Sequence, residues 1–587
     1  MHPLDLIVLL GTLGFIVIYG AVKTRQHEDI HGYLRGGGVK KSWAICLSII
    51  ATQASAITFM STPGQAYESG MGFLQIYFGL PLAMIVIAAV FIPVYYKLNV
   101  YTAYEYLEGR FNLPTRQFIA FLFLISRGLG SGLTLYAPAI ILSTILGWNL
   151  SLLCILIGFA VILYIYIGGE KAVSQTQTLQ MIVILSGMAM ALIMLIYYLP
   201  TGVSLKDATY LAGKMGRMKI VDTKFSLEGK YTIWSGILGG FFLSLSYFGT
   251  DQSQVSRYLG GSSVKESKLG LFFNGIVKIP MQFGILFIGV MTYVFFMFHS
   301  SPVFFNNKVL EKAALSTQVK QQLADKEKEH ELVEVQRNKA AIDLIHTQNT
   351  AQEVASIDSL QKYEQQDTAI RADVKRIIKA NAPEIETRDT DYVFLTFVLH
   401  HMPVGLVGLL LAVMFCAAMS STAGQISSLA STTVIDYYKR SINQNGSAKH
   451  YVNASKVSTL LWGCITIAFA FYVHLFDNLI QAVNELGSLF YGTILGVFIV
   501  AFFFKFVKGR AVFYAAIVTE LIILLIYASS KNIVFAVDTL KVVHLGSLVK
   551  LSYLWYNPIG VFLVVFISSA FSRLLKEKTG DPAEVKQ

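Results

Sequence analysis

Charge is scarce in this chain: 14% of its 587 residues are charged and 54% are hydrophobic, whereas soluble domains carry about 25% charged residues. A water-soluble chain of this length cannot hide so much apolar surface, so lipid is its natural solvent. Cysteine is equally sparse. Cys46, Cys154, Cys416 and Cys464 all lie in apolar runs without CxxC spacing, which excludes a disulfide framework and a zinc-thiolate site. The eleven histidines form no HExxH pattern, and the neighbours His400 and His401 point apart on a helix. Paired catalytic carboxylates and a nucleophile elbow are also missing, so the chain reads as a non-enzyme. The apolar stretch from Leu4 to Val22 has no basic segment before it and no small-residue cleavage site after it, so it is not a leader peptide. Lys23 and Arg25 follow it instead and place the N-terminus outside. The formal net charge of +11 would point to nucleic acid on a soluble protein. Here the excess sits in short loops, which fits an anionic membrane face and no nucleic-acid partner.

What is abundant is apolar runs of spanning length. Segments of about 20 apolar residues cross a bilayer as helices. About thirteen are legible, near 4–22, 43–66, 73–96, 117–146, 149–168, 175–199, 232–260, 268–298, 393–438, 452–475, 479–506, 511–529 and 551–573. The expected fold class is an all-α, polytopic membrane protein in the plasma (inner) membrane. The inner loops then carry Lys40 and Lys41; Lys97, Arg110 and Arg116; Arg257, Lys265 and Lys268; Lys439 and Arg440; Lys505, Lys508 and Arg510. Arg573, Lys576 and Lys578 make the C-terminal tail cytoplasmic.

Residues 301–392 break the pattern. They are polar and rich in Gln, Ala, Lys and Glu, which favours helix. The spacing predicts two or more extramembrane helices from about 306 to 382, ending near Asn381-Ala382-Pro383, on the outer side. Such an insertion is a solvated appendage, an extracytoplasmic docking surface for a protein partner, or a lid.

Several spans carry polar groups that lipid would penalise, and these must face a partner, a cavity or a path. The second contains Ala51-Thr52-Gln53-Ala54-Ser55-Ala56-Ile57-Thr58. Small residues there permit close helix packing, or a local break that frees carbonyls for a cation. The ninth contains Ala417, Ser420 and Ser421 on one helical face; its serines either bond back to their own helix or complete an oxygen shell for sodium. Asp251 ends the seventh, Arg127 lies in the fourth and Lys278 in the eighth, with Gln481 and Glu485 opening the eleventh. The cations either neutralise Asp251 or Glu485, or contact a polar solute.

Residues 403–439, from Pro403-Val404-Gly405 through Ala417-Ala418-Met419-Ser420-Ser421 to Asp436-Tyr437-Tyr438-Lys439, resemble the signature of the sodium:solute symporters. Tyr104-Glu105-Tyr106-Leu107-Glu108-Gly109-Arg110-Phe111 and Gly168-Gly169-Glu170-Lys171-Ala172-Val173 resemble that family's inner loops. Tyr247-Phe248-Gly249-Thr250-Asp251-Gln252 is similar to the sodium–glucose branch, and Leu135-Tyr136-Ala137-Pro138-Ala139 to the monocarboxylate, iodide and multivitamin branch. The resemblance implies a leucine-transporter-type fold with two inverted five-helix repeats. Repeat 1 would occupy 43–199. Repeat 2 would begin at 200–300 and resume at 393–506 after the insertion. Residues 1–42 and 507–587 would hold accessory helices.

It further implies a sodium ion held by Ala51, Ala54 and Ala417 carbonyls and by the hydroxyls of Ser420 and Ser421. Tyr247 matches an inner-gate tyrosine, and Lys278 and Gln481 match sugar-contacting positions. A second sodium site of some relatives falls here on Gln177, Ala423 and Gly424, which offer neither charge nor hydroxyl, so one sodium per cycle is expected. Tyr77 and Thr58 replace the acid and histidine of the glucose branch. Arg127 lies near a carboxylate-binding arginine of sialic-acid-transporting relatives. The expected function is sodium-coupled import of a small-molecule solute, a sugar or polyol or an organic anion, by alternating access. The solute contacts would be Gln53, Thr58, Tyr77, Arg127, Tyr247, Lys278 and Gln481. A non-transporting sensor on the same fold is the alternative, with the insertion as its docking surface. The roughly 14 residues after the last span are too few for a signalling domain.

Overall fold

A computed structural model describes residues 2–24, 41–313, 316–383, 387, 389–473, 479–530 and 551–574. The basic loop around Arg25 and Lys40, and the tail with Lys576 and Lys578, lie outside the described residues. The described residues are helical, with no β-strand among them. Ten helices are long and apolar enough to cross a membrane, and three shorter apolar ones span Pro3–Ile16, Ser42–Gln53 and Ser235–Gly249. The apolar runs read from the sequence fall on these helices.

In chain order the helices that position the site are α1 (Pro3–Thr24), α2 (Ser42–Gln53), α3 (Ala56–Ser69), α4 (Leu113–Leu146), α5 (Leu150–Tyr197), α6 (Gly240–Gly249), α7 (Gln252–Leu259) and α8 (Val264–Phe298). Then follow α9 (Thr317–His346), α10 (Glu353–Asn381), α11 (Leu406–Thr432), α12 (Ala448–Ala470), α13 (Leu479–Phe503), α14 (Gly509–Ser530) and α15 (Tyr556–Leu574).

Three details depart from the sequence expectation. The stretch Gly168–Val173, read as an inner loop, is carried within α5; Glu170, Lys171 and Ala172 are adequate helix formers and only the two glycines resist. The ninth run is not continuous: Val393–His401 forms its own helix, and α11 starts after Gly405, whose φ is +91°. The amides of Gly405 and Gly408 donate to Asp5 Oδ1 at 2.6 and 3.1 Å. That carboxylate from α1 satisfies donors a helix start leaves open, which clamps α1 onto α11. The second run passes into the third around Gly70, with φ +74°. Only glycine turns there freely, and the next amide, of Met71, bonds the Arg217 carbonyl at 3.0 Å.

The insertion folds as expected: a short helix Asn307–Ala313, then α9 and α10 paired as a hairpin. It is fastened to one end of the bundle. Arg337 Nη2 donates to the Phe296 carbonyl at 2.7 Å, and Asn338 Nδ2 to the Phe298 carbonyl at 3.4 Å. At the same end Tyr67 of α3 meets Tyr293, Phe296 and Phe305 edge-on. The opposite end is tied by the signature charges: Arg116 bridges Asp436 and Glu108, and Arg440 also reaches Glu108.

Candidate ion and solute site

The helical path breaks between α2 and α3. Thr52 turns its hydroxyl back onto the Ser48 carbonyl at 2.8 Å, a bond that competes with regular helix. Ala54 then leaves helical geometry (φ −81°, ψ 80°) and Ser55 is extended (φ −76°, ψ 172°). The Ser55 amide bonds Gln53 at 3.0 Å rather than Ala51, its partner in a continuous helix. Carbonyls near the break are thereby released.

The serines of α11 meet those carbonyls. Ser420 Oγ donates to the Ala51 carbonyl at 3.3 Å and Ser421 Oγ to the Thr52 carbonyl at 3.0 Å. Ser420 is the fifteenth residue of α11, roughly 21 Å along it at 1.5 Å per residue, so the junction lies deep in the bundle. Ala51, Ala54, Ala417, Ser420 and Ser421 are all buried. The structure therefore brings the two stretches together, through neutral oxygens only. Gln177 is spent on this framework: its amide donates to Thr52 Oγ1 at 3.0 Å and its carbonyl oxygen accepts from Ser48.

Beside the break is a cavity of about 90 Å³. Five of the seven expected solute residues line it: Gln53, Thr58, Tyr77, Arg127 and Tyr247. Gln53 Oε1 has no hydrogen-bond partner among the described residues. Lys278 and Gln481 are not on the wall. Lys278 stands behind Tyr77, its Nζ 5.5 Å from that ring's centroid, and Gln481 donates to Glu485 at 2.7 Å, one turn on. The sequence reading missed Ser55, Ser244, Asn484 and Tyr491, which complete the polar lining. Asn484 carried a usable signal, lying on the same polar opening turn as Gln481 and Glu485; Tyr491 sits in an apolar run that gave none.

Arg127 pairs with Asp251 and also lines the cavity. Its Nε donates to Asp251 Oδ2 at 3.0 Å, and its Nη2 bonds both Asp251 and the Tyr491 hydroxyl. Tyr491 in turn donates to Asp251 Oδ2 at 3.0 Å. The guanidinium also lies over the Tyr247 ring, 5.2 Å from its centroid. Asp251 is thus neutralised by Arg127 rather than by Lys278, as buried ions in lipid require. Tyr247 accepts from Gln254 Nε2 at 2.7 Å, which links the cavity to α7.

The sequence pattern of the sodium:solute symporter family matches residues 33–326 and 375–519. The chain belongs to the sodium:solute symporter family. The unmatched interval lies within the hairpin, which marks it as an addition to the family's common body. A sodium/sialic acid symporter of Proteus mirabilis is 24% identical over 92% of this chain and 93% of its own length. Human sodium-coupled monocarboxylate transporter 1 is 32% identical over 46% of this chain and 44% of its own. The human sodium/iodide cotransporter is 30% identical over 46% and 41%. The chain thus spans less than half the length of the first curated relatives it matches. A solved sodium-coupled sialic acid symporter in a substrate-bound outward-open state superposes with a TM-score of 0.73 at 21% identity, over 97% of this chain and 98% of that one. The chain therefore has the fold of that structure.

Proposed function

We propose that the protein is a sodium-coupled symporter that takes up a small carboxylated organic anion, one sodium per cycle. The observation that carries the reading is the junction of Ser420 and Ser421 with the carbonyls of Ala51 and Thr52 at the break between α2 and α3. A bare sodium ion suits neutral oxygens, and membrane carriers build such sites from unwound backbone. The ion would share the carbonyls of Ala51, Ala54 and Ala417 and the two serine hydroxyls, and so hold the end of α2 against α11. Gln177, already spent on Ser48 and Thr52, supports a single ion.

Solute class follows from Arg127. Its Nε and Nη2 are engaged by Asp251 and Tyr491, which leaves Nη1 for a carboxylate in the cavity, with Gln53, Thr58 and Asn484 for the rest of the solute. The anionic cargoes named for the relatives agree with this. Two inverted repeats, 43–199 and 200–506 less the hairpin, would rock about the site, and Tyr247 would open the path to the cytoplasm. Sodium and solute then favour one another by the same coupling energy, and because one sodium with one carboxylate carries no net charge, the sodium gradient rather than the membrane potential drives the cycle.

In proteoliposomes, an inward sodium gradient is expected to drive uptake of a carboxylate found by a sodium-dependent thermal-shift screen of carboxylates and polyols. Ser420→Ala combined with Ser421→Ala is expected to abolish that uptake. Full sodium-driven uptake by the double variant would refute the site, and a screen that returns only polyols would refute the solute class.

A further inference from the structure

A second cavity, of about 240 Å³, lies where the hairpin meets the bundle. Tyr67 of α3 and Arg217 stand on one side of it, and Asp367, Thr368 and Arg371 of α10 on the other. A more open cavity of about 380 Å³ shares Arg217 and Thr368 with it. Tyr67 and Thr58, which lines the solute cavity, belong to one helix and lie roughly 14 Å apart along it at 1.5 Å per residue. The acids of the second cavity are already engaged. Asp367 pairs with Arg337 and Arg371, Asp389 lies 3.0 Å from Lys375, and Glu364 lies 3.6 Å from Arg337. Glu68 accepts from Thr390 Oγ1 at 3.3 Å. Arg217 differs from the other cations: among the described residues no carboxylate pairs with it. Its Nη1 donates to the Glu68 main-chain carbonyl, and its guanidinium lies 4.7 Å from the Tyr293 ring centroid. Its Nε is buried without a hydrogen-bond partner. The Nε–Nη2 edge, which receives a carboxylate through two parallel bonds, is thus left open. The residue is also held in place. Its amide donates to the Ala212 carbonyl at 2.8 Å and its carbonyl accepts from Met71 at 3.0 Å. The helix Leu205–Lys214 before it is pinned to the hairpin, where Tyr210 and Lys214 bond Glu353 at 2.6 and 2.7 Å.

We propose that this cavity is a second carboxylate site, in which the open edge of Arg217 captures the organic anion before it descends along α3 to Arg127. This deepens the solute reading above and rests on it, together with the outer placement expected of the hairpin. A bound carboxylate supplies the acceptor that Arg217 Nε lacks, and a buried donor without one is costly. Tyr67 and Phe305 offer ring faces to the body of the ligand, and Gln365 and Thr368 offer hydrogen bonds. Gln365 and Thr368 fall in residues 327–374, which the family pattern leaves unmatched, so the hairpin builds one wall of the site. The serine junction lies beyond the far end of α3, so capture here needs no sodium.

The test is equilibrium binding of radiolabelled lactate and radiolabelled sialic acid, a small and a large carboxylate, to the purified full-length protein in potassium buffer and in sodium buffer. At least one of the two is expected to bind saturably in potassium, and neutral glucose should not displace it. Arg217→Gln is expected to weaken that binding by at least about tenfold, the loss of hydrogen bonds to a charged ligand. Thr368→Glu, which adds an acid to the same cavity, should weaken it comparably. Ser420→Ala with Ser421→Ala should leave the potassium component intact and remove only what sodium adds. The proposal is overturned if neither carboxylate binds saturably in potassium, if glucose displaces it, if that binding survives Arg217→Gln, or if Arg217→Gln removes only the sodium-dependent part. Should Arg217→Gln not accumulate as folded protein, Thr368→Glu decides alone: weakened binding in potassium supports the proposal and unchanged binding overturns it. A potassium component without any sodium-dependent one would support capture at Arg217 and count against the solute site at Arg127, so the two failures are told apart.

Discussion

At the break between α2 and α3 the groups facing the proposed ion are neutral carbonyls and hydroxyls, and the nearby charges are few. In the α9–α10 hairpin the reverse holds: His330, Glu334, Arg337, Asp367 and Arg371 form one dense network of ion pairs. Solvent explains the contrast. A net charge deep in a membrane protein is costly, so the core matches Arg127 to Asp251 one for one. The hairpin lies beside water and uses charge as adhesive, with Arg337 also gripping the Phe296 carbonyl at the bundle end. Titration should therefore loosen the hairpin while leaving the core intact, and removing one charge should injure the core most.

The largest effect is expected at the core pair. Asp251→Asn leaves the Arg127 guanidinium without its counter-charge, at a cost of about 3–5 kcal/mol. The yield and thermal stability of the folded protein should fall sharply, and Arg127→Gln in the same chain should restore part of the loss. Equal or greater loss in the double variant would show that the pair is not what holds α4, α7 and α13 together.

In the hairpin the expected effect is smaller and depends on pH. Burial opposes protonation of His330, but its hydrogen bonds to Asp367 and Glu334 outweigh this and raise its pKa from 6.5 to about 9. A folded-state pKa above the unfolded value adds stability that is complete below pH 6.5 and is lost as pH rises through 9. Asp367 is held well below the usual carboxylate range, where burial is outweighed by Arg371, His330 and Arg337, so its own contribution fades only at acid pH. Hydrogen-exchange protection, referred to the intrinsic base-catalysed rate at each pH, should fall in α9 and α10 between about pH 6.5 and 9, with α2, α3 and α11 unaffected. His330→Gln should flatten that profile. Protection lost evenly over the chain would end the distinction between the two regions.

The smallest effect is expected at Lys278, which stands behind Tyr77 rather than on the cavity wall. Lys278→Met should change the solute KM by less than about threefold, whereas Asn484→Ala should raise it by about tenfold, the cost of one hydrogen bond to a charged ligand. The opposite order would return Lys278 to the cavity.

Much of the site was legible because its chemistry is local in sequence. A run of small and hydroxyl residues in an apolar span marks a break, and Ser420 with Ser421 stands out in α11 for the same reason. Family resemblance then paired the two. The partner of Asp251 was not decidable, because Arg127 and Lys278 are equivalent as isolated cations and only packing separates them. Tyr491 was invisible: its hydroxyl bonds Arg127 and Asp251, yet its ring belongs to an ordinary apolar run. The turn at Gly405 and the continuity of α5 were missed because apolar runs blur where one helix ends.

The most direct test of the ion site is equilibrium binding of radiolabelled sodium to the purified full-length protein, with and without Ser420→Ala and Ser421→Ala. Saturable binding to one site per chain is expected in the parent and none in the double variant. Saturable binding that survives both substitutions would place the ion elsewhere and contradict it.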